Sequence, residues 1–136
     1  INSLIGKTIP VYGNGKNIRD WLYVLDHCTA IECILIEGKI GDSYCIGGLN
    51  QTANIDIVKY ICMLVDDSGV KSHDKRSFDF VQFVEDRAGH DFRYSLDISK
   101  IEKELSWNPT YDILNGIKRT VNWYISHKSY WMPLIK

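Results

Sequence analysis

No run of apolar residues in this sequence approaches the roughly 18 that a membrane-spanning helix needs, and the opening INSLIGKTIP does not read as a secretory signal. Neither sign of charge dominates. The 16 lysines and arginines stand against 17 acidic residues, a formal net charge of -1, which removes the electrostatic basis for a dedicated nucleic-acid binder. The four cysteines, Cys28, Cys33, Cys45 and Cys62, form no C-x-x-C pair and no zinc-ligand spacing. All four are expected in the core, as reduced thiols of a cytoplasmic protein. Walker loops, G-x-S-x-G elbows and H-E-x-x-H pairs are missing as well. Gly13-Asn14-Gly15 is not a dinucleotide fingerprint, because the third glycine is lacking and a strand-like segment follows it.

What remains is ordinary globular material: 136 residues, 45% hydrophobic and 24% charged, enough for one domain and inconsistent with disorder. TIPVY at 8–12 predicts a short strand that Pro10 confines to an edge, and IRDWLYV at 18–24 predicts a second. Asp26 is expected to cap a helix whose buried face carries Ala30, Ile31, Ile34 and Leu35, with Gly38 stopping it. A strand is expected at 43–46, closed by Gly47-Gly48. Asn54 should cap a helix to about Asp66 with Ile57, Ile61, Leu64 and Val65 inward. A polar loop follows at 67–77. Strand signals recur at Phe78, Phe80 and 81–84, and 92–96 reads as extended. Ser99 and Glu102 have capping-box spacing for a helix holding Ile101 and Leu105, ended before Pro109. A last helix, about 111–127, aligns Leu114, Ile117, Val121 and Tyr124. Alternating strands and helices make the fold α/β. The opening segment lacks an initiating Met and reads as the tail of an element begun upstream.

Two places depart from core patterning. Arg19, in RDWLY, offers a planar fork of donors to a phosphate, or else pairs with Asp20. The segment 85–94 sets Arg87, His90 and Arg93 around Gly89, where the backbone could approach an anion; a solvated charged loop is the competing reading. His73 and His127 read as surface residues.

PVYGNGKNIRDWLYVLDH, then IGGLNQTANIDIV, then EDRAGHDFRYSLDISKIEKELSWNP and GIKRTVNWYI, closely resemble the carboxyl-terminal part of the dTDP-glucose 4,6-dehydratase family, within the extended short-chain dehydrogenases/reductases. The RDW-x-YV-x-DH pattern is shared across nucleotide-sugar enzymes, whereas DR-x-GHD-x-RY with D-x-SKI-x-x-EL-x-W-x-P is narrower. The resemblance implies a small mixed substrate-binding lobe, with the NAD-binding Rossmann domain outside these residues. By motif position, Pro10, Val11 and Tyr12 would border the nucleotide base and Arg19 would pair with the diphosphate. Asn54 would add a polar contact at a helix start, where amide groups also favour anions. Asp86, Arg87, Gly89 and His90 would close over the nucleotide, with Tyr94 nearby. Ala88 stands where the motif has proline, which should loosen the loop.

The family's reaction oxidises the sugar at C4 by hydride transfer to NAD, eliminates water across C5–C6 and returns the hydride to C6. Its cofactor loop, Tyr-x-x-x-Lys pair and acid/base carboxylates have no counterpart here. Tyr124 and Lys128 match that spacing only by chance. The resemblance therefore implies a piece of a larger homodimeric enzyme that takes a dTDP-sugar, with no catalytic residue, no metal site and no NAD on this chain alone. Two other readings stand beside it: a catalytically dead binding or interaction protein, and a piece of a UDP-sugar decarboxylase or epimerase.

Overall fold

A computed structural model describes residues 1–135. In chain order its main elements are α1 (Asn2–Ile5), β1 (Ile9–Tyr12), β2 (Ile18–Asp20), α2 (Val24–Glu37), β3 (Gln51–Ala53), α3 (Asn54–Ser68), β4 (Val81–Val84), α4 (Ser99–Leu105), α5 (Ile113–Ser126) and α6 (Lys128–Trp131). They fall into two compact units. One holds residues 1–17, 53–91 and the chain from Ile117 onward; the other holds 18–52 and 92–116. Among the described residues no helix is long and apolar enough to cross a membrane.

In the first unit β1 and β4 run parallel, pairing Ile9 with Val81 through to Tyr12 with Val84. Val11 is buried between exposed Pro10 and Tyr12, as the two-residue pleat requires. Each strand has one free side, so Pro10 sits at an edge as expected. Behind this pair, α3 turns Ile57, Cys62 and Val65 inward. Leu4, Val65, Val121 and Trp131 form the core, and Ile117 and Tyr124 pack on it. The buried Trp131 indole donates to the Tyr124 carbonyl at 2.7 Å, the partner such a ring needs away from water. Tyr124 is thereby absorbed in the core, and Lys128 Nζ reaches the Val70 carbonyl at 3.4 Å.

In the second unit Ala30 of α2 is fully buried against Ile98, Ile101, Leu105 and Trp107, with Cys33, Ile34, Tyr44 and Ile46 around them. Trp107 donates to Thr29 Oγ1 at 3.1 Å. β2 pairs with β3 and also bridges Arg93, the one residue of the expected extension at 92–96 that joins a ladder. The Asp20 carboxylate accepts the N–H groups of Gly48 (3.1 Å) and Asn50 (2.8 Å), and Trp21 Nε1 donates to the Thr52 carbonyl at 3.0 Å. The mixed α/β class is as expected.

Several local expectations are corrected. The second strand stops at Asp20, because α2 already begins at Val24 with Tyr23 as its cap. Asp26 does not cap: it is 3% exposed and accepts the Tyr111 N–H at 3.0 Å. Asn54 is the first helical residue of α3 rather than its cap. Ser99 caps nothing with its side chain; Asp97 accepts the Ser99 N–H at 2.8 Å instead. Phe78 and Phe80 lie in a short 3-10 helix, Ser77–Phe80, ahead of β4. Ile31, Leu35 and Leu114 are exposed, and so are Cys28 and Cys45, leaving Cys62 as the fully buried thiol. His73 is not a loose surface ring. Its Nε2 lies 2.7 Å from the Ser3 carbonyl oxygen and its Nδ1 3.0 Å from that of Lys75.

The segment 43–46 is the least expected. It joins no ladder, although Tyr44 and Ile46 pack inward while Ser43 and Cys45 are exposed, the alternation of a strand.

Candidate functional site

The parallel pairing of β1 and β4 delivers two loops from the same ends of the strands, the place where open α/β sheets present ligand contacts. After β1 comes the Gly13-Asn14-Gly15 turn, tied to β4 by the Gly13 N–H donating to the Val84 carbonyl at 2.9 Å. After β4 comes the 85–91 loop. Tyr12, at the end of β1, is where they meet. The Arg87 guanidinium lies over its ring at 4.5 Å from the centroid, and the His90 ring stands edge-on at 6.5 Å. A cation over an aromatic face is held in place yet keeps its outer N–H donors for an anion.

Asp86 organises the loop from within. Its Oδ1 lies 2.6 Å from His90 Nδ1 and accepts the Arg87 N–H at 2.9 Å. The His90 hydrogen bond, helped by the Arg87 amide and the Asn17 side chain, holds the Asp86 carboxyl below its ordinary range. Arg87 and His90 close a tight turn, His90 N–H to Arg87 carbonyl at 3.1 Å, around Gly89 at φ +70°. That positive φ is what the second central position of a type II turn demands, and nothing lies within 4 Å of where a Gly89 Cβ would be.

Ala88 occupies the first central position of this turn, which proline favours. Ala88→Pro is therefore expected to raise stability by about 0.4–1 kcal/mol through the unfolded state. Thermal denaturation checks this, and an unchanged or lower midpoint would mean that the turn does not accept the ring.

Asn54 opens α3 beside the Gly13-Asn14-Gly15 turn. Its N–H donates to the Asn17 carbonyl at 3.0 Å and the Ile55 N–H to Gly15 at 2.9 Å. Those two amides are thus engaged within the protein, and the Asn54 side chain is the group on offer. Its Oδ1 is buried and has no hydrogen-bond partner among the described residues, a state folded proteins rarely leave without a use.

The first unit thus brings together Tyr12, Asp86, Arg87, Gly89 and His90, with Asn54 linked to them through residues 15 and 17, while Pro10 is exposed and Val11 buried in β1. Asn17 is a member that sequence reasoning missed. Arg19 belongs to the second unit. There it donates to the Ile18 carbonyl at 2.7 Å and stacks on Tyr94 at 4.5 Å, again a guanidinium braced on a ring. The Gly13-Asn14-Gly15 turn does not have the form of a dinucleotide cradle. The glycine turn leads to β2 rather than into a helix, and the Gly15 carbonyl is taken by α3. Among the described residues no group of three His, Cys, Asp or Glu side chains could hold a metal ion.

Comparison with known proteins matches residues 2–120 to the model of the GDP-mannose 4,6 dehydratase family. The dTDP-glucose 4,6-dehydratase of Neisseria meningitidis serogroup B is 42% identical over 141 residues, covering 99% of this chain and 39% of the relative. An Escherichia coli dTDP-glucose 4,6-dehydratase is 44% identical over 136 residues, covering 100% and 37%. Among solved structures, the Bacillus anthracis dTDP-glucose 4,6-dehydratase in complex with NAD superposes with a TM-score of 0.79 at 38% identity, over 96% of this chain and 38% of that one. The chain thus spans well under half the length of the relatives it matches.

Proposed function

The chain belongs to the GDP-mannose 4,6 dehydratase family, and from that premise we propose that it is the nucleotide-sugar-binding, carboxyl-terminal portion of a dTDP-glucose 4,6-dehydratase. The observation that carries this reading is the cluster at the ends of β1 and β4. An exposed Tyr12 offers a stacking face for a base, and Arg87, braced on the far side of that stack, offers donors to phosphate. His90 is oriented by Asp86, and Asn54 contributes a buried amide end. In the second unit, Arg19 carries a guanidinium whose permanent charge suits a phosphate.

The full enzyme would convert dTDP-glucose to the 4-keto-6-deoxy sugar. NAD would serve there as hydride acceptor and donor, held by the Rossmann portion that lies beyond these residues in the relatives' length. No group on this chain is assigned a step in that chemistry; its residues bind and orient the nucleotide end.

The second unit carries a surface suited to such a partner. Leu25, Leu35 and Ile36 of α2 and Ile40 after it are exposed, Leu35 by 81%. Among the described residues, the backbone N–H and C=O groups of Tyr44, Cys45 and Ile46 make no hydrogen bond. An extended segment with unpaired backbone groups, and exposed apolar residues on α2, each suit contact with another α/β sheet.

Titration calorimetry of the 136-residue chain with dTDP tests the binding role. Saturable binding, tighter than for UDP, is expected, with Arg87→Ala and Arg19→Ala each weakening it by about 1.5–3 kcal/mol. No 4-keto-6-deoxy sugar should form when NAD and dTDP-glucose are supplied. Absence of dTDP binding would overturn the binding role, and product formation would overturn the division of labour.

A further inference from the structure

Asn17 is a polar residue only 5% exposed, at the junction of the two loops and α3. Its carbonyl accepts the Asn54 N–H at 3.0 Å. Its Nδ2 lies 3.4 Å from both His90 Nδ1 and the Asp91 carbonyl oxygen. One buried side chain therefore touches the loop that carries Arg87 and His90, while the same residue's backbone fixes the start of α3. Burying an amide costs free energy unless its hydrogen bonds are made, and both side-chain contacts lie at the long end of the hydrogen-bond range.

The His90 ring sharpens this. Nδ1 faces Asp86 Oδ1 at 2.6 Å and Asn17 Nδ2 at 3.4 Å, and one ring nitrogen cannot serve both at once. Carrying a proton, it donates to Asp86, and the Asn17 amide turns to the Asp91 carbonyl. His90 is thereby held against Asp86 on the inner side of the loop, beside the Asn17 amide.

We propose that Asn17 is the positioning residue of this site. It locks the 86–91 loop and the Asn54 side chain into one frame, so that a nucleoside diphosphate meets Arg87, His90 and Asn54 together. The inference rests on the nucleotide-binding reading above and adds to it a residue that need not touch the ligand.

The test uses the full chain with Asn17→Ala, His90→Ala and the double variant, titrated with dTDP, and with circular dichroism confirming that each is folded. Asn17→Ala should lose about tenfold in affinity, because the loop then loses the buried side chain that joins it to the residue fixing the start of α3. The double variant should lose less than the product of the two single losses, because Asn17 acts partly through His90. Trypsin cleavage after Arg87 should be faster in Asn17→Ala than in the unmodified chain. Asn17→Asp keeps the size but not the donor, and should show the same faster cleavage if Asn17→Ala fails to fold. Unchanged affinity, multiplicative losses or unchanged cleavage would each overturn the proposal. If the unmodified chain does not bind dTDP, the nucleotide reading falls first, and cleavage after Arg87 alone reports whether Asn17 holds the loop.

Discussion

Asp66→Ala is expected to destabilise the first unit by about 2–4 kcal/mol at neutral pH, and by less where the carboxyl is protonated. Asp66 stands near the end of α3 and ties the following loop back to it. Its Oδ1 accepts from Lys71 Nζ at 2.6 Å and from Ser77 Oγ at 2.7 Å, and both its oxygens lie 3.1 Å from the Ser77 N–H. Ser77 is fully buried, so truncating Asp66 strands two donors away from water. Burial pushes the Asp66 pKa up, but the hydrogen bonds from Lys71 and Ser77 outweigh it and hold the carboxyl below its ordinary range. A depressed folded-state pKa means that the stabilisation is fully present above the unfolded value, near 3.9, and is lost as pH falls through the lower folded one. Thermal melts at pH 7 and across pH 5 to 2 check both parts. Asp66→Ala should lower the midpoint at pH 7, and its difference from the unmodified chain should shrink in acid. A difference as large at pH 2 as at pH 7 would assign the effect to neutral hydrogen bonds and packing rather than to the charge. The consequence reaches the site, since Ser77 begins the turn that feeds β4 and hence the 85–91 loop.

The elements most legible in the sequence are those whose pattern is local. The 3.6-residue repeat of Ile57, Ile61, Leu64 and Val65 in α3 and the TIPVY strand appear where expected, and the polar loop expected at 67–77 is found between Ser68, where α3 ends, and Ser77, where a 3-10 turn begins. Helix starts are less legible for one shared reason. Asp26, Asn54 and Ser99 have the side chains that caps use, but Asp26 is recruited by the distant Tyr111 N–H, and Asn54 is anchored through its backbone to Asn17. At α4 the nearby Asp97 carboxylate reaches the Ser99 amide instead. α2 hides its buried face because it is apolar almost all round. Cys33 and Ile34 go inward while Ile31, Leu35 and Ile36 stay out, and nothing in its periodicity selects between them.

The candidate site divides the same way. Tyr12, Asp86, Arg87, Gly89 and His90 announce themselves by charge, aromaticity and a glycine in short segments. What cannot be read is that β1 and β4 pair in parallel and so bring position 12 beside position 87. Asn17 carries no signal at all, since an asparagine in a glycine-rich stretch reads as turn chemistry. Its role comes from contacts 73 and 74 residues away. Arg19 follows Asn17 by two positions yet folds with the other unit, a division that sequence proximity conceals.

Gly15→Ala should be the most damaging small substitution in the site, costing about 2–4 kcal/mol and weakening dTDP binding. Two separate penalties meet there. Gly15 has φ +72°, where a side chain costs about 1–2 kcal/mol in a left-handed conformation. A Cβ at Gly15 would also lie 2.8 Å from Ile55 Cβ and 2.9 Å from Val11 Cγ1, closer than real contacts allow, and relieving such crowding typically costs about 1–3 kcal/mol. Neither neighbour can swing aside cheaply, because Val11 is buried in β1 and the contact with Ile55 is at its own Cβ, in the first turn of α3. Gly69→Ala separates the two penalties. Gly69 has φ +65°, nearly the same conformation, but nothing lies within 4 Å of its Cβ position. Urea denaturation of both variants should show Gly69→Ala paying only the backbone part, with Gly15→Ala exceeding it by at least about 1 kcal/mol. Equal losses would mean that the turn relaxes around the methyl group and that its close approach to α3 is not what fixes Asn54. A larger loss for Gly15→Ala, accompanied by weaker dTDP binding that Gly69→Ala does not share, would tie the site's geometry to this one contact between the glycine turn and the helix.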